Sequence, residues 1–181
     1  TAGFSPEDIK PWTIMPEDFS SFWEEAIEKA RTVPLDSTMT LLPKQSGLDV
    51  EVYHISFQNE KPGSRIFGML SVPAKPGKYP VVLQVPGAGV RPYGPNTEIA
   101  KRGVIHLAIG IHGIPVNLEA EFYNNLGRGA LAKYSISGLG NRDTYYFKRV
   151  ILGAVRAGDF LFNLPKADGQ NYGVYGNSQG G

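Results

Sequence analysis

GVYGNSQGG (173–181) places a serine two residues after one glycine and two before another. Gly176-Asn177-Ser178-Gln179-Gly180 has the spacing of a strand that turns sharply into a helix with an alcohol at its apex. Such a turn holds the apical residue in a strained backbone conformation, and side chains at the flanking positions would collide. Glycine at 176 and 180 removes both side chains. The Ser178 hydroxyl would then stand clear of the sheet as a candidate nucleophile, with the following N–H of Gln179 facing the substrate. The alternative for the same residues is a glycine-rich strand-to-helix turn without chemistry.

A second segment fits the same chemistry. VVLQVPGAGVRPYG (81–94) is a short β-branched run that breaks into a glycine-rich loop. A loop in that place can supply a second backbone donor to a developing oxyanion, and Ala88, beside Gly87, is the natural candidate. Two such donors would lower the barrier by several kcal/mol, about 3 for each. An ordinary Pro-Gly turn is the competing reading.

The elements that would position these residues follow from periodicity. Residues 16–31 show Phe19, Phe22, Trp23, Ala26, Ile27 and Ala30 at helical spacing with Glu24, Glu25, Glu28 and Lys29 opposite. Pro16, Glu17 and Asp18 suit the start of that helix, and Pro34 ends it. DVEVYHISFQ (49–58) alternates as a half-exposed strand, and SRIFGMLSVP (64–73) follows after a turn. VVLQV (81–85), VIHLAIGI (104–111) and YGVYG (172–176) read as strands buried on both faces. Helices are expected near 96–101 and from Asp143, as N-cap, to about Phe162. Residues 112–142 lack periodicity and read as a long surface excursion of the kind that shapes a cleft. Early antiparallel strands followed by alternating strand and helix predict an α/β fold, a mostly parallel sheet with helices on both faces.

Composition narrows the partners. The 181 residues carry 41% hydrophobic side chains, which is globular. A net charge of +1 gives no electrostatic reason to expect nucleic acid or an anionic membrane. The absence of cysteine excludes disulfides, thiolate nucleophiles and cysteine metal sites. No apolar run is long enough to span a membrane, and TAGFSPEDIK does not have the pattern of a secretory signal. Cytoplasm, periplasm and exterior all stay open.

The chain resembles the acetyl xylan esterase / cephalosporin C deacetylase family of α/β-hydrolases, carbohydrate esterase family 7. DFSSFWEEAIEKARTVPLD (18–36) is similar to that family's opening helix, and ISFQ with RIFGMLSVP to its first hairpin. RDTYYFKRVILGAVRAGDFL (142–161) is similar to its tyrosine-rich helix, and YGNSQGG to its elbow. The resemblance implies Ser178 as nucleophile and the N–H groups of Ala88 and Gln179 as oxyanion hole. It further implies deacetylation of xylo-oligosaccharides and similar small esters without metal or cofactor, often in a homo-oligomer that can be a hexamer. Two departures stand out. Some members have tyrosine where Ala88 stands, which removes a ring but not the N–H; Tyr93 is a candidate to replace it in the cleft. Where members often show Asp-x-Arg-Gly-x-Gly, this chain reads IGIHGIPVN (109–117).

A serine needs a base, and in this fold the acid and histidine follow the serine in the chain. His54, His106 and His112 all precede Ser178. His54 and His106 fall inside strand patterns and read as structural. His112 ends a strand at the edge where active sites form and is a candidate for lining the cleft. The expectation is that residues 1–181 form the front portion of a single hydrolase domain, with the remaining triad members in residues after Gly181. The competing functions are another α/β-hydrolase, of peptidase or dienelactone-hydrolase type, and a noncatalytic sugar-binding module.

Overall fold

A computed structural model describes residues 5–181. The first four residues, part of the opening stretch weighed above as a signal, lie outside the described residues. Six strands form one sheet in the order β1-β2-β3-β5-β4-β6. They are β1 (Thr38–Leu41), β2 (Val50–Gln58), β3 (Arg65–Pro73), β4 (Tyr79–Val85), β5 (Ile105–Gly110) and β6 (Ala167–Gly176). The sheet is mixed. β1, β2, β3 and β5 pair antiparallel in succession, and β5, β4 and β6 pair parallel. Among the described residues four α-helices accompany it: α1 (Phe19–Arg31), α2 (Thr97–Lys101), α3 (Ala120–Arg128) and α4 (Tyr146–Phe162).

Helices cover both faces. On one, Ala157, Phe160 and Leu161 of α4 pack with Ile55, Phe57, Leu70, Leu83 and Leu107 of the sheet. On the other, Ala100 of α2 packs with Val50, Val52 and Met69. β5 is buried at all six positions, as expected of a central strand whose run is apolar but for His106. α1 lies against α4, and their link is polar: Arg31 holds the Asp159 carboxylate with both Nε and Nη2. The apolar stripe of α1 is only half covered. Phe22 instead lies beneath two cations, Arg142 and Lys148, each 4.6 Å from its ring centre.

Several boundaries differ from the sequence reading. α1 starts at Phe19, not Pro16; Asp18 is its N-cap, and the Asp18 carboxylate pairs with Arg142 instead of capping the helix. α4 starts at Tyr146, three residues after the expected cap. Asp143 is spent on Lys148, and the Asn141 side chain accepts the Asp143 N–H in a local turn. The 112–142 excursion contains α3 and a short 3₁₀ turn at Tyr134–Ile136. β1 had no signal, being four exposed residues on the sheet's edge.

β6 corrects the expectation of a strand buried on both faces. Val174 is 70% exposed and Tyr175 42% exposed. Among the described residues β6 pairs only with β4, so it forms an edge. The ladder is regular from Val81↔Tyr172 to Val85↔Gly176. Just before it the chain bulges, and the Asp168 carboxylate accepts the N–H groups of Gln170 and Asn171. β4 and β6 thus run side by side and end together, delivering the loop after Val85 and the turn after Gly176 to one edge of the sheet.

Candidate active site

Two glycines make the turn after β6 possible. A Cβ on Gly176 would lie 1.8 Å from the Gly180 carbonyl oxygen, and one on Gly180 would lie 2.6 Å from the Val85 carbonyl oxygen. Neither neighbour is a side chain that could rotate away. Between them Ser178 adopts φ = 56°, left-handed backbone that a non-glycine residue occupies at a cost. The chain then enters a 3₁₀ turn, Ser178–Gly180. These are the bent backbone and steric exclusions that the sequence spacing called for.

The loop after β4 lies against this turn. A Cβ on Gly87 would sit 3.0 Å from the Asn177 carbonyl oxygen and 3.7 Å from the Ser178 Cβ. Between loop and turn is a cavity of about 490 Å³ lined by Gly87, Ala88, Arg91, Tyr93, Tyr175 and Ser178. The N–H groups of Ala88 and Gln179 have no hydrogen-bond partner among the described residues. Unpaired donors beside a strained serine are what oxyanion binding requires. A groove of similar volume, about 480 Å³, runs between α1 and α4, but no serine on a strained turn lines it.

Arg91 fixes the loop's peptide planes. Its Nη1 donates to the Ala88 carbonyl at 2.8 Å and its Nη2 reaches towards the Gly87 carbonyl at 3.4 Å. A trans peptide points its N–H opposite to its C=O, so holding the Gly87 carbonyl turns the Ala88 N–H away from the guanidinium. The guanidinium also lies over the Tyr93 ring at 5.6 Å. Tyr93 is anchored through its backbone N–H to the Val116 carbonyl. Its ring lines the cavity, and its hydroxyl is buried without a partner among the described residues. Burial raises the Tyr93 pKa, so the hydroxyl stays protonated.

His112 does not line the cavity. It stands behind the loop with both ring nitrogens engaged. Nε2 donates to the Gly89 carbonyl at 3.0 Å, because a carbonyl can only accept; Nδ1 then accepts from the Tyr146 hydroxyl at 2.7 Å. Burial lowers the His112 pKa and keeps the ring in this neutral tautomer. The expectation that it lines the cleft is therefore corrected: His112 is not among the residues lining this cavity, and Tyr146 and Gly89 hold its ring. His106 is fully buried on β5 and meets the Tyr175 hydroxyl at 3.1 Å, while His54 stacks on Phe67. None of the three is placed to take the Ser178 proton.

Sequence reasoning missed Arg91 and Tyr175, which line the cavity, and a residue from a distant segment. Tyr134, in the excursion, accepts the Gly89 N–H at 3.0 Å and donates to the Gln179 Oε1 at 2.9 Å. It lies 45 residues from each partner, and no local pattern signals it.

Comparison with known proteins identifies the family of the chain. The family model "Acetyl xylan esterase (AXE1)" matches residues 7–181. The acetyl esterase Axe7A of Xylanibacter ruminicola is 38% identical over 184 residues, covering 99% of this chain and 42% of its own length. An acetyl xylan esterase from Paenibacillus sp. R4 superposes with a TM-score of 0.78 at 27% identity, covering 96% of this chain and 56% of that one. Acetyl xylan esterase 1 from Thermoanaerobacterium sp. JW/SL YS485 shares the fold, with a TM-score of 0.74 at 23% identity over 91% and 52% of the respective chains. The chain thus spans about half the length of these relatives, or less.

Proposed function

The chain belongs to the acetyl xylan esterase family, and from that premise we propose that it carries the nucleophile and oxyanion hole of a serine esterase. The substrates are acetylated xylo-oligosaccharides or similar small esters. Ser178 Oγ attacks the acetyl carbonyl carbon, and the carbonyl electron pair moves onto its oxygen. The N–H groups of Ala88 and Gln179 receive that charge. Each is worth about 3 kcal/mol of transition-state stabilisation when such a donor is fixed beforehand. Collapse of the tetrahedral intermediate expels the sugar alcohol, and water then hydrolyses the acetyl-serine.

The proton of Ser178 requires a base. None of the three histidines hydrogen-bonds Ser178 among the described residues: His112 holds Tyr146 and Gly89, His106 meets the Tyr175 hydroxyl and His54 stacks on Phe67. We therefore assign the base and its carboxylate partner to chain beyond Gly181, residues 1–181 being the front portion of one α/β-hydrolase domain. The lengths of the relatives support this division, since the chain covers 42% of Axe7A.

One observation carries the proposal: Ser178 sits at φ = 56° between two glycines that have no room for a side chain. The test is hydrolysis of p-nitrophenyl acetate and acetylated xylo-oligosaccharide by the full-length protein and its Ser178→Ala variant. A fall in kcat of about 10³-fold or more is expected. Undiminished turnover by the variant would refute the assignment. A preference for long acyl chains or peptide amides would point to another hydrolase, and no turnover of any ester to a binding module.

A further inference from the structure

We propose that Tyr134 is a positioning residue that locks the two halves of the oxyanion hole to each other. The inference rests on the esterase reading above and deepens it. The two donors come from different parts of the chain, Ala88 after β4 and Gln179 after β6, and no covalent geometry fixes their separation. The Tyr134 hydroxyl lies between them. It accepts the N–H of Gly89, the residue after one donor, and donates a hydrogen bond to the side-chain oxygen of Gln179, whose backbone N–H is the other donor.

The lock has support on each side. The peptide joining Ala88 to Gly89 is held at both poles, its carbonyl by Arg91 and its N–H by Tyr134. The next carbonyl, Gly89, is held by His112. The Tyr134 ring itself is fixed by packing: the His112 ring meets it edge-on at 4.7 Å and Tyr146 lies at 5.4 Å. Tyr134 thus joins the elbow to the loop through a hydroxyl that makes one bond to each. A donor held in place before the reaction costs no reorganisation when charge develops. Loosening the bridge should therefore slow the chemical step and leave ground-state ester binding little changed.

Tyr134→Phe in the full-length enzyme removes the bridge and keeps the ring. The expected result is a drop in kcat for p-nitrophenyl acetate of about tenfold, with KM within about twofold. The Ki of a small alkylboronic acid, whose tetrahedral serine adduct presents an oxygen to the same donors, should rise by the same factor. Gln179→Ala, which keeps the backbone N–H but cuts the other end, should give a similar loss. The double variant should be no worse than either single one, because both break one bridge. Wild-type kcat and boronate Ki in Tyr134→Phe would overturn the proposal. So would a raised KM at constant kcat, or additive losses in the double variant. Should Tyr134→Phe fail to fold, the Gln179→Ala kinetics and boronate Ki decide alone, and unchanged values there would overturn it. Labelling of the wild-type enzyme by a fluorophosphonate keeps the two readings apart. No adduct at Ser178 removes the esterase reading itself, whereas an adduct with unchanged Tyr134→Phe kinetics removes only the bridge.

Discussion

Replacing Gly176 by alanine tests the elbow where its geometry is least forgiving. The added Cβ would begin 1.8 Å from the Gly180 oxygen and 2.3 Å from its carbonyl carbon. Cβ atoms essentially never approach another heavy atom closer than 3.0 Å, so one side of the turn must retreat by at least 3.0 − 1.8 = 1.2 Å. Gly180 has little room to take up that shift, since the side of it where a Cβ would stand lies 2.6 Å from the Val85 and 2.8 Å from the Pro86 carbonyl oxygen. The displacement therefore falls on Asn177, Ser178 and Gln179. A misplacement of about 1 Å at reacting groups costs about 10²-fold, and overpacking adds about 1–3 kcal/mol of destabilisation. Gly94→Ala is the internal control, because a Cβ there meets nothing within 4 Å. Hydrolysis of p-nitrophenyl acetate and thermal unfolding, measured on both variants of the full-length protein, separate the outcomes. Gly176→Ala should lose about 10² in kcat and unfold at lower temperature, while Gly94→Ala should match wild type in both. Wild-type kcat in Gly176→Ala would refute the claim that the tight turn sets the serine.

Stability should depend on pH through the buried histidines. Burial lowers the pKa of His54, His106 and His112 below the ordinary 6.5. The unfolded chain therefore binds more protons than the folded one once the pH drops below that value, and stability is lost as the pH falls towards the folded-state pKa values. Denaturant titrations at pH about 7.5 and about 5 should show this loss, with a smaller loss in His106→Asn; equal midpoints would contradict it. The Tyr93 hydroxyl lines the cavity and has no hydrogen-bond partner by geometry among the described residues. Tyr93→Phe should leave the protein as stable as wild type or raise stability by about 1 kcal/mol, and a loss of more than about 1 kcal/mol on chemical denaturation would show that the hydroxyl is paired.

Much of this site was legible because its constraints are local. The elbow needs small residues two before and two after the serine, and glycine at 176 and 180 announces that need directly. β5 is legible because a central strand covered on both sides reads as a nearly continuous apolar run, with His106 its one polar side chain. What escaped depends on contacts between distant segments. β1 is an exposed edge strand, so nothing selects an alternating pattern in TMTL. α3 buries only Tyr123, and asparagine and glycine within it dilute the helical signal. Asp143 has the chemistry of an N-cap but is drawn off by Lys148, a competition that residue type alone cannot decide. His112 was read as facing the cleft because it ends a strand at the right edge; which way the ring turns is set by Tyr146 and Gly89. Tyr134 reaches the site only because the excursion folds back over the loop, which no periodicity encodes.

The central claim is that Ser178 and two backbone N–H groups converge on one carbonyl oxygen. A crystal structure of the full-length protein with a small phosphonate bonded to Ser178 measures that convergence directly. The account predicts a phosphoryl oxygen about 2.7–3.1 Å from both the Ala88 and the Gln179 nitrogen. An adduct whose oxygen turns away from either nitrogen, or a phosphonate that bonds to some other residue, would contradict it.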